Sequence, residues 1–269
     1  MKPLSSRNRF FYLLSVSLRR FRRNLKWRFG NTDYAMTRDA DRLSHSVVSH
    51  KSLLLRKLSG ADMELQRNKV KSLSLACSLV DSVVVRPGET FSLWRLVGKP
   101  SAGRGFLPGL QLSFGNLVSM SGGGLCQLSN LLHWMVLQTP MTVVERHRHA
   151  TDPFPDHKRK VPFGTGATVF YNYLDFSFRN DTSCDYQIRV KTGDEYLEGE
   201  ILSDMPPEHL YRVYEKKHRF VRNGSFVYRE NELWREKTEA VSGRVVSEDL
   251  IMRNRCRVLY EVPEEDISG

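Results

Sequence analysis

The feature of this sequence best placed to do chemistry is a cysteine that follows a run of glycines. Cys126 comes two residues after the run Gly122, Gly123 and Gly124. The apolar spacing behind it predicts a helix from Leu125 to Gln138. Glycines permit positive φ and close backbone approach. A thiol in the first turn of a helix meets free N–H groups and the positive end of the helix dipole, and both favour the nucleophilic thiolate.

A nucleophilic cysteine needs a base and an orienting group. Glu145, His147 and His149 alternate in "VERHRH", so on the strand predicted for residues 142–149 their side chains share one face. Either histidine could be the base, with Glu145 as the orienting group, and Gln127 could donate to an oxyanion. Three further polar residues recur near the helical azimuth of the cysteine: Ser129, Asn130 and His133.

Two other roles for Cys126 stay open. It could be a small buried hydrophobe beneath the glycine turn. It could also bind a metal with His147, His149 and Asp152 or His157, although an HxH pair with one distant cysteine is a weak zinc pattern. We predict no metal and no cofactor.

A pocket near the cysteine is a further expectation. Trp94 and Arg95 in "ETFSLWRLVG" could line it together with Ser129. The alternative for the first two is a packed indole and a solvated guanidinium.

The elements around these residues predict an α+β fold. It has a helical N-terminal third, a central helix after the Gly-Gly-Gly-x-Cys turn packed on a mostly antiparallel sheet, and a β-rich C-terminal half. Residues 62–85 indicate a helix followed by a strand, residues 97–110 a loop, and residues 111–120 two short strands. From Ala167 onward we expect successive antiparallel strands, with a hairpin at Asn223-Gly224.

Charge is concentrated at the N-terminus. The chain of 269 residues has a net charge of +11, and nine of its 41 Lys and Arg lie in residues 1–30, which contain no Asp or Glu. Apolar residues there step by 3, 4, 3 and 4 positions, which predicts a basic amphipathic helix. These residues are Phe11, Leu14, Leu18, Phe21 and Leu25. We expect this apolar stripe to be buried, either on the protein itself or at an anionic membrane surface.

The same composition bounds the partners and the location. No apolar run reaches the roughly 18 to 20 residues that span a bilayer, and no secretory signal is recognisable. No nucleic-acid motif accompanies the charge, so we expect no nucleic-acid partner. We expect a cytoplasmic protein, or one peripheral to the inner face of the membrane. We divide it into an arm (residues 1–30), an α+β domain (31–205) and a C-terminal β-hairpin extension (206–269).

Three segments carry a family resemblance. "RPGETFSLWRLVG", "GGGLCQLSNLLHWMVLQTPMTVVERHRH" and "ATVFYNYLDFSFRNDT" resemble, in this order from Arg86 to Asp181, the VanW family, named for an accessory protein of vancomycin-resistance gene clusters. The family signature falls on Pro87, Gly88, Glu89, Thr90, Phe91, Gly122, Gly123, Gly124, Cys126, Gln127, Ser129, Glu145, Arg146, His147 and His149. The resemblance implies a setting, the bacterial cell envelope or its response to glycopeptides, and it supplies no reaction.

Two functions follow from these observations. The first is a cysteine-dependent hydrolase or acyltransferase acting on a cell-wall peptide or precursor, with Cys126 as nucleophile and His147 as base. The second is a non-catalytic accessory or binding domain whose partner is a cell-wall precursor or an envelope protein. We favour the second, because no complete catalytic set can be assigned.

Overall fold

The computed structural model describes residues 9–55, 63–113, 116–148, 151–152, 155 and 161–268. Its helices are α1 (Arg9–Phe29), α2 (Met63–Val80), α3 (Leu93–Val97) and α4 (Cys126–Val136). The strands as far as the glycine turn are β1 (His45–Leu53), β2 (Val83–Val85), β3 (Thr90–Ser92), β4 (Pro108–Ser113) and β5 (Asn116–Ser121). The later strands are β6 (Thr142–Glu145), β7 (Thr151–Asp152), β8 (Ser177–Arg179), β9 (Tyr186–Thr192), β10 (Tyr196–Ser203), β11 (His209–Asn223), β12 (Phe226–Glu239), β13 (Val245–Val258) and β14 (Ile267–Ser268).

The core forms between two helices and an antiparallel sheet ordered β1-β10-β9-β2. Helix α2 packs on β9, and α4 packs on β1 and β10. Gly199 of β10 allows α4 to come close, because a Cβ there would lie 2.6 Å from Met135 Cε and 2.7 Å from Leu131 Cδ2. The predicted α+β class is confirmed.

Three further sheets complete the fold. A small sheet in the order β3-β8-β6 carries the residues that precede His147, and β4 pairs with β5 as the predicted two strands. The C-terminal residues form a longer structure than a hairpin: β11, β12 and β13 are antiparallel neighbours, flanked by the short strands β14 and β7. The turn between β11 and β12 falls at the predicted Asn223-Gly224.

Several predicted elements differ from the structure. The strand expected over residues 142–149 ends at Glu145, and the strand expected from Ala167 is confined to Ser177–Arg179. Within the loop expected over residues 97–110, a 3-10 turn forms at Ala102–Arg104 and β4 begins at Pro108. Strand β1 was not predicted.

The N-terminal arm is helical over Arg9–Phe29. The first of the two expected positions for its apolar stripe, buried on the protein itself, is wrong. The predicted apolar stripe does not pack on the domain: Leu14 is 55% exposed and Phe21 is 58% exposed. The opposite face of the helix, with Val16 and Trp27, meets the body of the protein. No helix among the described residues is long and apolar enough to cross a membrane.

Candidate functional site

The glycine turn before α4 requires glycine for two different reasons. Gly122 and Gly124 have φ of 75° and 90°, in the left-handed region that side chains disfavour. Gly123 has no positive φ, but a Cβ there would lie 2.0 Å from the carbonyl oxygen of Gly109 in β4. The turn therefore holds the start of α4 directly against the backbone of the β4–β5 hairpin.

Three backbone amides at the start of α4 already have acceptors. The N–H groups of Gly123 and Gln127 donate to the carbonyls of Met120 (2.8 Å) and Gly124 (2.9 Å), and the N–H of Leu125 donates over 3.4 Å within the same turn. These three donors are therefore engaged in the turn and are not available to an oxyanion.

The Gln127 side chain is also engaged in the fold. Its Nε2 donates to Ser52 Oγ (3.0 Å) and to the Leu53 carbonyl (2.9 Å). It ties α4 to strand β1, whereas we had considered it as an oxyanion donor.

The face of α4 that carries Cys126 binds an extended segment, residues 165–169, which we call the clamped segment. Ser129 and Asn130 were placed on this face by their spacing, and His133 completes it. The contacts with the clamped segment are Cys126 Sγ to the Val169 carbonyl (3.7 Å), Ser129 Oγ to the Ala167 carbonyl (2.7 Å), Ala167 N–H to Asn130 Oδ1 (2.6 Å) and His133 Nδ1 to the Thr165 carbonyl (2.6 Å). Side chains from successive turns of α4 thus form hydrogen bonds with the backbone of alternate residues of the clamped segment, namely Thr165, Ala167 and Val169.

These contacts with the clamped segment define the protonation states of His133 and Cys126. A carbonyl only accepts, so His133 donates through Nδ1–H. Burial lowers the pKa of His133 to about 4, so the ring is neutral at pH 7. Burial also raises the pKa of Cys126. Because a thiolate cannot donate, the bond to Val169 likewise requires the protonated thiol.

His147 faces a different group from the thiol. It follows the end of β6, and its Nε2 lies 3.0 Å from Glu145 Oε1. Glu145 in turn accepts two hydrogen bonds from Arg23 of helix α1, at 2.6 and 2.8 Å. The expected pairing of Glu145 with His147 is present, but Arg23 rather than Cys126 is the other partner of this pair. His149 and His157 lie outside the described residues.

Asp175, which follows the clamped segment in the chain, lies beside the Arg23–Glu145 pair. Its carboxylate accepts from Ser92 Oγ (2.5 Å) and from the Trp94 amide (3.1 Å), and Arg23 lies 3.7 Å away. Burial raises the pKa of Asp175 to about 6. Burial acts in the same direction on Glu145, but the hydrogen bonds from His147 and Arg23 outweigh it and lower the pKa of Glu145 to about 2.

The raised pKa of Asp175 predicts a measurable pH dependence of stability. Between its ordinary value of 3.8 and about 6 the folded state holds a proton that the unfolded state has released, so stability should rise as the pH falls through this window. Relative to Asp175→Asn, the wild-type free energy of unfolding should increase by about 3 kcal/mol over this window. Urea unfolding at a series of pH values measures this difference.

Glu145 provides the control for this measurement. Its lowered pKa gives stability that is present above its ordinary value of 4.5 and is lost as the pH falls towards 2. Glu145→Gln should therefore alter the pH profile with the opposite sign. Parallel profiles for the wild type and Asp175→Asn would contradict the assignment of a raised pKa to Asp175.

A cavity of about 320 Å³ opens beside Cys126. Its walls come from α1, the residues around the glycine turn, and the end of the clamped segment with the residues after it. The cations are Arg20 and Lys99, and the aromatic rings are Trp94, Phe170 and Tyr171. Such a lining suits a ligand with an anionic group and an apolar body.

Of the three predicted pocket residues, only Trp94 lines this cavity. The Trp94 indole donates to the Leu174 carbonyl over 2.8 Å. The Arg95 guanidinium instead lies 4.7 Å from the ring centre of Tyr34 and 5.8 Å from that of Trp27. Ser129 is fully buried where α4 meets the clamped segment.

The structure gives no support to a metal site at Cys126. In the described part of the chain, no three His, Cys, Asp or Glu side chains are grouped so that they could bind a metal ion. Asp152 pairs with the buried Arg229 at 3.3 Å. It does not join Cys126.

Sequence reasoning missed Arg23, Asp175 and Arg20, because their partners lie far along the chain. Arg146, named above only as part of the family signature, donates to the carbonyls of Gly164 and Gly166 and holds the start of the clamped segment. An arginine on the polar side of an amphipathic helix carries no local sign that it will be buried. The one available signal was the recurrence of Ser129, Asn130 and His133 on the cysteine face of α4.

Comparison with known proteins shows which family this chain belongs to. The family model described as VanW like protein matches residues 68–202. The chain is 35% identical over 237 residues to the Vancomycin B-type resistance protein VanW of Enterococcus faecalis, an alignment that covers 88% of this chain and 86% of that protein. The chain therefore belongs to the VanW family.

A second relative shares a shorter region. The uncharacterized protein YoaR of Bacillus subtilis is 32% identical over 126 residues, which cover 46% of this chain and 40% of that protein. No solved structure matches the chain at a significant level.

Proposed function

We infer that this protein is a non-catalytic accessory protein of the cell-envelope response to glycopeptides, and that it binds its ligand in the cavity beside Cys126. One observation carries this conclusion. The Cys126 thiol donates to the Val169 carbonyl, and its pKa is raised rather than lowered. A nucleophilic cysteine requires the reverse.

The surroundings of the thiol support the same conclusion. Of the histidines in the described ranges, His147 is bonded to Glu145 and His133 to the clamped segment, and neither ring nitrogen is hydrogen-bonded to Cys126 Sγ. A neutral His133 with its proton on Nδ1 stabilises the clamp and is not a base for the thiol. The thiol contributes to packing and to one weak hydrogen bond.

The chemistry of the cavity suggests the ligand class. Arg20 and Lys99 bring positive charge to a site whose other walls are mainly aromatic and aliphatic. A cell-wall precursor fragment that carries a carboxylate or phosphate fits this lining. The setting rests on the relative named as a vancomycin resistance protein.

The cysteines support a reducing compartment. Cys77, Cys126, Cys184 and Cys256 are not joined by disulfide bonds, and Cys77 and Cys256 are buried. Disulfides persist in oxidising compartments, so we place the protein on the cytoplasmic side.

We retain the division into an arm (residues 1–30), a body (31–205) and a C-terminal extension (206–269) as part of the proposal.

Alkylation of the native protein tests the role of the thiol. With iodoacetamide at neutral pH, Cys126 should react more slowly than Cys184, although both side chains are half-buried, because desolvation raises the pKa of the Cys126 thiol and so lowers its thiolate fraction. Mass spectrometry of each cysteine gives the two rates. After unfolding, the rates should become similar. Faster reaction of Cys126 in the native state would overturn the non-catalytic assignment and favour the hydrolase.

Binding of soluble precursor fragments tests the cavity. A UDP-linked muramyl peptide, titrated by calorimetry, should bind the wild-type protein and should bind Lys99→Glu at least about tenfold more weakly. Lys71→Glu is the matched control, since Lys71 is exposed on α2 outside the cavity. Equal binding by the two variants would exclude the cavity as the site. Release of a fragment from the peptide by the wild type but not by Cys126→Ser would show an enzyme.

A further inference from the structure

Helix α1 uses one face to hold the body of the protein. Val16 is buried, Arg20 Nε donates to the Tyr171 carbonyl over 3.1 Å, and Arg23 binds Glu145 through both of its terminal nitrogens. Trp27 packs against the core. Positions 16, 20, 23 and 27 are spaced by 4, 3 and 4 residues, so the inward face is a single stripe defined by polar as well as apolar contacts.

The opposite face of α1 is apolar and exposed. Six large side chains on it, spaced by 3 or 4 residues, are between 41% and 73% exposed: Phe11, Leu14, Leu18, Phe21, Leu25 and Phe29. Because Arg23 and Arg20 hold the other face, the helix cannot rotate to bury this stripe on the body without breaking those bonds. An apolar stripe of this length exposed on a helix indicates a surface that binds something else.

The charge around the stripe indicates what it binds. Helix α1 contains seven Lys and Arg and no Asp or Glu. The exposed Arg22 and Lys26 directly follow Phe21 and Leu25, and the exposed Arg28 directly precedes Phe29, so cations border the apolar stripe on both sides. Long basic side chains beside an apolar face can extend to lipid phosphates while their stems lie on the apolar surface.

We propose that the outward face of α1 binds an anionic lipid bilayer, with the helix lying in the plane of the interface. A second copy of this chain fits the surface poorly, because it would bring two wholly cationic helices together. The helix is not apolar enough to cross the membrane, which agrees with a position in the interface. This proposal does not depend on the ligand of the cavity beside Cys126.

Vesicle flotation tests this proposal with the full-length protein. Phosphatidylcholine vesicles that contain phosphatidylglycerol should bind the protein at least about tenfold more strongly than phosphatidylcholine alone, and added salt should weaken the binding. Leu14→Gln with Phe21→Gln should reduce binding at least about tenfold. Arg22→Gln with Lys26→Gln should reduce it about 25-fold, since each cation near the surface contributes about fivefold.

Leu210→Gln is the matched control, because Leu210 is 51% exposed on β11 and should leave binding unchanged. Equal binding to both kinds of vesicle, or wild-type binding by the Leu14→Gln/Phe21→Gln variant, would overturn the proposal. Light scattering distinguishes the other occupant: if that variant dissociates a dimer and the wild type does not bind vesicles, the face contacts a second copy and the membrane assignment is wrong.

Discussion

Gly123→Ala should destabilise the protein by about 4 kcal/mol or more, or prevent its accumulation in folded form. The added Cβ would lie 2.0 Å from the Gly109 carbonyl oxygen and 2.3 Å from the carbonyl carbon, and both belong to the backbone. Neither atom can rotate away as a side chain would. Relief requires that β4 moves away from α4, which would disrupt the turn and the hairpin together. Chemical denaturation followed by circular dichroism measures the loss.

Gly103→Ala is the matched control for this variant. A Cβ at Gly103 meets nothing within 4 Å and the residue has no positive φ, so its effect should stay within about 0.5 kcal/mol. Where Gly123→Ala does not accumulate, Gly109→Ala approaches the same contact from the other side, with its Cβ 2.5 Å from the Gly123 oxygen. Wild-type stability of Gly123→Ala or of Gly109→Ala would contradict the close backbone contact.

Arg23→Met should destabilise the protein by about 3 kcal/mol. The methionine retains much of the aliphatic volume but removes the charge that faces Glu145 at 2.6 Å and Asp175 at 3.7 Å. Two carboxylates in a largely buried site would then lack their cation, and like charges in such a site repel. Urea unfolding of the full-length protein measures the effect.

Arg22→Met is the matched control for this charge removal. It makes the same substitution one residue earlier on α1, where the side chain is exposed, and it should change stability by no more than about 0.5 kcal/mol. Adding Glu145→Gln to Arg23→Met should recover part of the loss, because one uncompensated charge is removed. Equal effects of Arg22→Met and Arg23→Met would show that the ion pair contributes little.

Local patterns predicted much of the fold. The apolar spacing around Leu128 and Leu132 indicated α4, alternation indicated β9 and β10, and the Asn223-Gly224 pair indicated the turn between β11 and β12. Strand β1 escaped this reasoning because "HSVVSHKSL" is polar and only partly buried. It is held at the edge of its sheet by β10, and a pairing of that kind has no signature within the segment itself.

The candidate site was less predictable, because its bonds join distant parts of the chain. The residues from Ala167 to Phe176 look like a strand, yet their polar groups are taken by α4 side chains and by Glu145 and Trp94. The glycine turn and Cys126 were correctly placed at the start of a helix. The pKa of the thiol is raised by its burial, and burial of this kind cannot be seen in the spacing of residues.

The contact between Gly109 and Gly123 has a consequence for molecular recognition. It joins the β4–β5 hairpin to the start of α4, so the cavity wall formed by Met120, Ser121, Gly122 and Cys126 is preorganised. A molecule that enters does not have to order this wall, and the conformational entropy lost on binding is correspondingly small. Discrimination between ligands should then appear mainly in their residence times, because association needs no rearrangement on this side.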